Sequence, residues 1–99
     1  MTWDDEARCE FNCSALRYAK VAGADIANRF VEHVETAISQ ARSGPERFRL
    51  FDGRARRVRV DHFPSAVVYW YDQTTESIHI VAIAHLHRQP GYWRERIAE

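Results

Sequence analysis

Few of the residues that staple, kink or loosen a small protein occur in this chain: two cysteines, three prolines, four glycines and one methionine among 99 residues. Two cysteines exclude a disulfide scaffold. Cys9 and Cys13 are four apart on an expected helix, where the backbone does not readily give disulfide geometry. A metal site there would need further ligands, and none is near in sequence; two reduced thiols is the simplest reading. Repeats, linkers and low-complexity stretches are absent, so one domain over residues 1–99 is expected. No apolar run approaches the ~18 residues of a membrane-spanning helix. Met1 to Glu6 is acidic and carries no apolar signal region, so a cytoplasmic protein without a membrane partner is expected.

Lysine is also scarce. Lys20 is the only one, so arginine supplies the rest of the 14 basic side chains. Fourteen acids cancel them to a net charge of zero, but the cancellation is uneven along the chain. Residues 1–41 carry 4 basic and 7 acidic side chains, and residues 42–99 carry 10 and 7. Between Arg47 and Arg59 there are six arginines against the single acid Asp52. Arginine's planar, permanently charged fork suits carboxylates and phosphates. The run reads either as a solvated strand face or as a binding surface.

What is present in quantity is apolar periodicity. Ala7, Phe11, Ala15 and Tyr18 recur at helical spacing behind the acidic Asp4-Asp5-Glu6, predicting a helix over about 4–20. Ile26, Phe30, Val34, Ala37, Ile38 and Ala41 predict a second over about 25–42, with Gly44 suited to a left-handed cap and Pro45 beyond it. Alternation of Arg57, Arg59 and Asp61 with Val58 and Val60 predicts a half-exposed strand. Ala66 to Tyr71 and Ile78 to His85 predict two more, joined by a polar turn, with Pro64 at a strand start. Short links imply antiparallel neighbours. The fold class is therefore α+β: two N-terminal helices packed on one face of an antiparallel sheet, then a short C-terminal segment.

The last third collects the residues with chemistry. Alternation places His79 and His85 on one face, and Arg88 and Tyr92 follow His85 and His87. Histidine, arginine and tyrosine together can move protons and stabilise phosphoryl charge. His-x-His can also hold a metal but lacks a recognisable third ligand. Equally, His85 can serve inside the fold while Arg88 and Arg94 pair with carboxylates. Tyr69, Trp70, Tyr71, Tyr92 and Trp93 supply aromatic area that can stack on bases or anchor a protein partner.

In order along the chain, Ala7-x-x-Glu10-Phe11, Arg29-Phe30, Pro45-Glu46-Arg47-Phe48, Arg57-Val58-Arg59, Phe63-Pro64 with Val67-Val68-Tyr69, and His85-x-x-Arg88-x-Pro90-x-Tyr92-Trp93 resemble the RelE/ParE superfamily of bacterial type II toxin–antitoxin modules. The resemblance implies a small growth-inhibiting, plasmid-stabilising toxin wrapped by a cognate antitoxin, with no cofactor and no metal. The family opens with a strand, for which only Met1 to Trp3 are available here, so three or four strands are expected. Its two branches are ParE-like inhibitors of DNA gyrase and RelE-like endonucleases that cut mRNA on the ribosome. Arg57 and Arg59 fall where the nuclease branch has two basic residues, and Tyr92 matches its C-terminal tyrosine. Ala66 stands where that branch carries an arginine, and another arginine is missing at His85 or Leu86. The ending with Pro90 and Trp93 is similar to the ParE-like branch. A ParE-like toxin is thus the expectation, with target or antitoxin binding by Arg57, Arg59, Trp70, Arg88, Tyr92, Trp93 and Arg94. The alternative is a metal-independent RNase using Arg57, Arg59, His85, Arg88 and Tyr92.

Overall fold

In the computed structural model, which describes residues 1–97, a helical hairpin covers one face of a five-stranded sheet. A two-residue strand, β1 (Thr2–Trp3), leads into α1 (Asp5–Ala22). Asp4 caps α1 by accepting from the Glu6 amide at 2.9 Å, and Asp5, Glu6 and Lys20 sit at the ends the helix dipole favours. Gly23, at φ +96°, ends α1 and turns directly into α2 (Ala24–Ser43). The expected stripe of α2 faces inward: Phe30, Val34 and Ala41 are wholly buried. Gly44 ends α2 with its amide on the Gln40 carbonyl, but at φ −152° rather than in the left-handed cap expected for it.

The strands β2 (Leu50–Asp52), β3 (Ala55–Arg59), β4 (Ser65–Asp72) and β5 (Ser77–His85) complete the sheet in the order β1-β5-β4-β3-β2. β2 to β5 form an antiparallel meander, whereas β1 runs parallel to β5, pairing Thr2 with His79 and Trp3 with Ile80. The sheet is therefore mixed and has five strands, not an antiparallel three or four. The additional strand is β2, whose three residues are too few to show alternation. β3 also stops at Arg59, and His62, at φ +68°, turns the chain before Asp61 can extend the ladder.

One irregularity decides which way the functional residues point. Val68 pairs with Ala82 and Tyr69 with Ile80, leaving Val81 as an extra residue on β5. Such a bulge inverts the alternation beyond it. Ile78 and Ile80 lie in the helix-side core with Phe30, Val34 and Tyr69, while Val81, Ala82 and Ala84 join a second cluster on the opposite face. His79 and His85 consequently lie on opposite faces, correcting the expectation that they share one. His79 stacks on Trp70 on the far face, whereas His85 stands beside Tyr18 and Val21 of α1 at the sheet end.

Candidate functional site

The far face of the sheet carries no helix. Its centre is built from small residues, Ala55, Val68, Ala82 and Ala84, and Trp93 of the C-terminal tail lies over them, only 4% exposed. Phe51 of β2 meets the Trp93 ring at 5.6 Å between centroids. A cavity of about 100 Å³ remains between the tail and the strands. Ala66 and Val68 form part of its wall, with Arg57 and Arg88 around it and His85, the last residue of β5, bordering it at the sheet end as well as the helix side. The structure thus gathers three of the five residues expected for a nuclease, Arg57, His85 and Arg88, at one cavity. Arg59, two residues along β3, is exposed but outside its wall.

Each cation has a local reason for its position. The Arg57 guanidinium lies 4.8 Å above the Phe51 ring and that of Arg88 lies 3.8 Å above Tyr92, contacts that hold a cation without neutralising it. Arg88 Nη1 is also 3.5 Å from Glu10 Oε2 on α1. Among the described residues, neither Arg57 nor Arg59 has a carboxylate partner. These two are the cations of the face most available to an incoming acid.

The tail is fastened by side chains to an otherwise open strand edge. β1 covers β5 only at His79 and Ile80, so the edge beyond needs other partners. Arg96 Nη1 donates to the Val81 carbonyl at 3.0 Å, and the Ile83 amide donates to Glu10 Oε1 at 3.1 Å. Arg96 and Glu10 pair at 3.1 Å, with side chains only 10% and 16% exposed, and Arg96 reaches Glu6 at 2.8 Å. Arg94 bonds Asp52 of β2 at 2.8 Å. The tail is thus tied to α1 on one side and to β2 on the other.

Tyr92 belongs to this fastening. Burial, and then the adjacent Glu10 carboxylate, push its phenol well above the usual tyrosine range, outweighing Arg88 and Arg96. It stays protonated and is not a base at neutral pH. His85 Nδ1 accepts from the His87 amide at 3.2 Å, and the two rings lie 5.2 Å apart. Among the described residues, no third metal-ligating side chain joins them.

Trp70 lies outside this cavity wall, between the Arg54 guanidinium at 3.9 Å and the His79 ring at 4.4 Å. Of the aromatics expected to meet a partner, Trp93 is instead buried where it packs over the small residues of the far face, while Tyr69 belongs wholly to the helix-side core. Sequence reasoning did not single out Glu10, Arg96 or Asp52 as site residues. The available signal was Glu10 itself, an acid within the apolar side of the first helix between Ala7 and Phe11. The arrangement as a whole is a small, largely apolar cavity with Arg57 and Arg88 at its wall.

No family model matches the chain, and no curated protein matches it. Among solved structures, it is similar to a chain of the chromosomal ParDE TA system from P. aeruginosa, with a TM-score of 0.74. That likeness covers 87% of this chain and 94% of the other at 12% identity. The chain therefore shares the fold of that neighbour, and the expected α+β arrangement of two N-terminal helices on one face of a sheet is the one it has.

Proposed function

We propose that this protein is the toxin of a toxin–antitoxin module, a ParE-like growth inhibitor that acts on DNA gyrase in the cytoplasm and is neutralised by a cognate antitoxin. The observation that carries this reading is the fold likeness, over 87% of this chain, to a ParDE system structure. The far face supports binding as its mode of action. Ala66 lies in the cavity wall where an arginine would be needed for phosphate charge, and Tyr92 is held protonated. Arg57 and Arg59 offer cations to an acidic partner over an apolar floor.

The test adds the purified protein separately to a gyrase supercoiling assay and to a translating extract with mRNA readout. Loss of supercoiling with intact mRNA is expected. Codon-positioned cuts in translated mRNA, with supercoiling untouched, would transfer the protein to the nuclease branch.

A further inference from the structure

One exposed stripe lies outside this proposed site and runs along α1. Asp5, Cys9, Cys13, Leu16 and Lys20 recur at spacings of four, four, three and four, so they stand one above another on one side of the helix. All five are exposed, Leu16 by 62%. Free cysteine is among the residue types most often buried, yet both cysteines of this chain lie uncovered on this stripe. Among the described residues, neither Asp5 nor Lys20 has an ion-pair partner.

The stripe has a direction, with an acid at its start, thiols and a leucine in its middle, and a base at its end. Turned end for end it complements itself. Asp5 of one copy then comes opposite Lys20 of the other, and the thiols and Leu16 meet across the middle. A two-fold axis perpendicular to the helix produces that relation, because it lays one patch against itself with the helix direction inverted. A parallel pairing would instead oppose Asp5 to Asp5 and Lys20 to Lys20. We infer that α1 pairs antiparallel with α1 of a second copy of this chain, with Cys9, Cys13 and Leu16 at the contact. One helix pair covers less than the ~1,200 Å² that separates weak from stable interfaces. The dimer is therefore concentration-dependent, and the end charges set its register and direction.

The experiment uses the full chain without any partner, at low salt, with mild copper-catalysed oxidation read on non-reducing gels and mass read by sedimentation. A covalent dimer and a mass that rises with concentration are expected. Asp5→Lys alone and Lys20→Asp alone should each lower cross-linking by about tenfold or more, because each opposes like charges. The double variant Asp5→Lys/Lys20→Asp should restore it, an outcome that damage to the fold would not produce. Circular dichroism of every variant verifies that α1 is formed. A chain that stays monomeric at all concentrations overturns the inference, as does cross-linking indifferent to the charge variants, which would mark random collision. A monomeric chain that loses antitoxin binding in Leu16→Asp would assign the stripe to the antitoxin instead. The proposed target does not enter any of these readouts.

Discussion

At Glu10 one carboxylate oxygen receives both the Ile83 amide and the Arg96 guanidinium at 3.1 Å. Replacing it by alanine leaves a strand amide without its acceptor and a nearly buried cation with only Glu6 and the Val81 carbonyl. Breaking a buried pair from one side costs about 3–5 kcal/mol, and because Glu6 remains, Glu10→Ala should lower the urea midpoint by less than that equivalent. Glu10→Gln, which keeps an acceptor, should lose less. The raised phenols of Tyr69 and Tyr92 carry a pH dependence of their own. Their folded pKa values lie above the ordinary 10.0, so the unfolded chain releases protons first as pH rises. The stability they contribute is fully present below about pH 10 and is lost as pH climbs through the folded values. Thermal melts on the alkaline side should show this decline, and Tyr92→Phe should make it shallower. If the protein acts by binding, as proposed, His85→Gln should leave growth inhibition intact in a plating assay. A general acid or base would cost on the order of 100- to 10,000-fold in rate.

The elements were legible where periodicity is long and invisible where a single residue breaks it. The stripe from Ile26 to Ala41 repeats for four turns and announced α2, and the Val67 to Tyr69 run announced β4. Leu50–Asp52 is too short to alternate, and the extra Val81 on β5 changes no composition, so neither β2 nor the opposed faces of His79 and His85 could be read from sequence. The cavity was legible in part for the same reason. Arg57, His85 and Arg88 share a region of sequence rich in function-bearing types, whereas Glu10 comes to them from the first helix, 73 residues before Ile83, and meets Arg88 directly. The turn before the short 3-10 helix Arg94–Arg96 is one element whose sequence is demanding. Gly91 sits at φ +84°, and a Cβ there would come within 2.6 Å of the Arg94 guanidinium. The guanidinium can swing aside only by leaving Asp52, and a side chain in a left-handed conformation costs about 1–2 kcal/mol. Gly91→Ala should therefore loosen the tail, seen as faster amide exchange at Arg94 and Arg96 with little change in the helices.

For the molecule as a whole, the two faces of the sheet divide the labour. The helix side supplies stability around Phe30, Tyr69 and Ile80, and the far side presents Arg57 and Arg59 to an incoming partner. An antitoxin crossing β3 should therefore be acidic there. Arg57→Glu with Arg59→Glu should slow its association and flatten the salt dependence of the on-rate, measured by stopped-flow mixing. An unchanged rate at low salt would mean the antitoxin crosses elsewhere. The sheet also joins its first strand to its last, with Thr2 on His79 and the Asp4 amide on the Ile80 carbonyl at 2.8 Å. That pairing gives the fold a clock. At about 5–20 residues per second of synthesis, the 77 residues that separate Thr2 from His79 take roughly 4–15 s to emerge. From the emergence of α2 until the last strands follow, the helical hairpin lacks the surface it covers, with Phe30 and Val34 open to solvent. A newborn chain therefore stays sticky for seconds, and its sheet closes only when the last strand returns to meet the first.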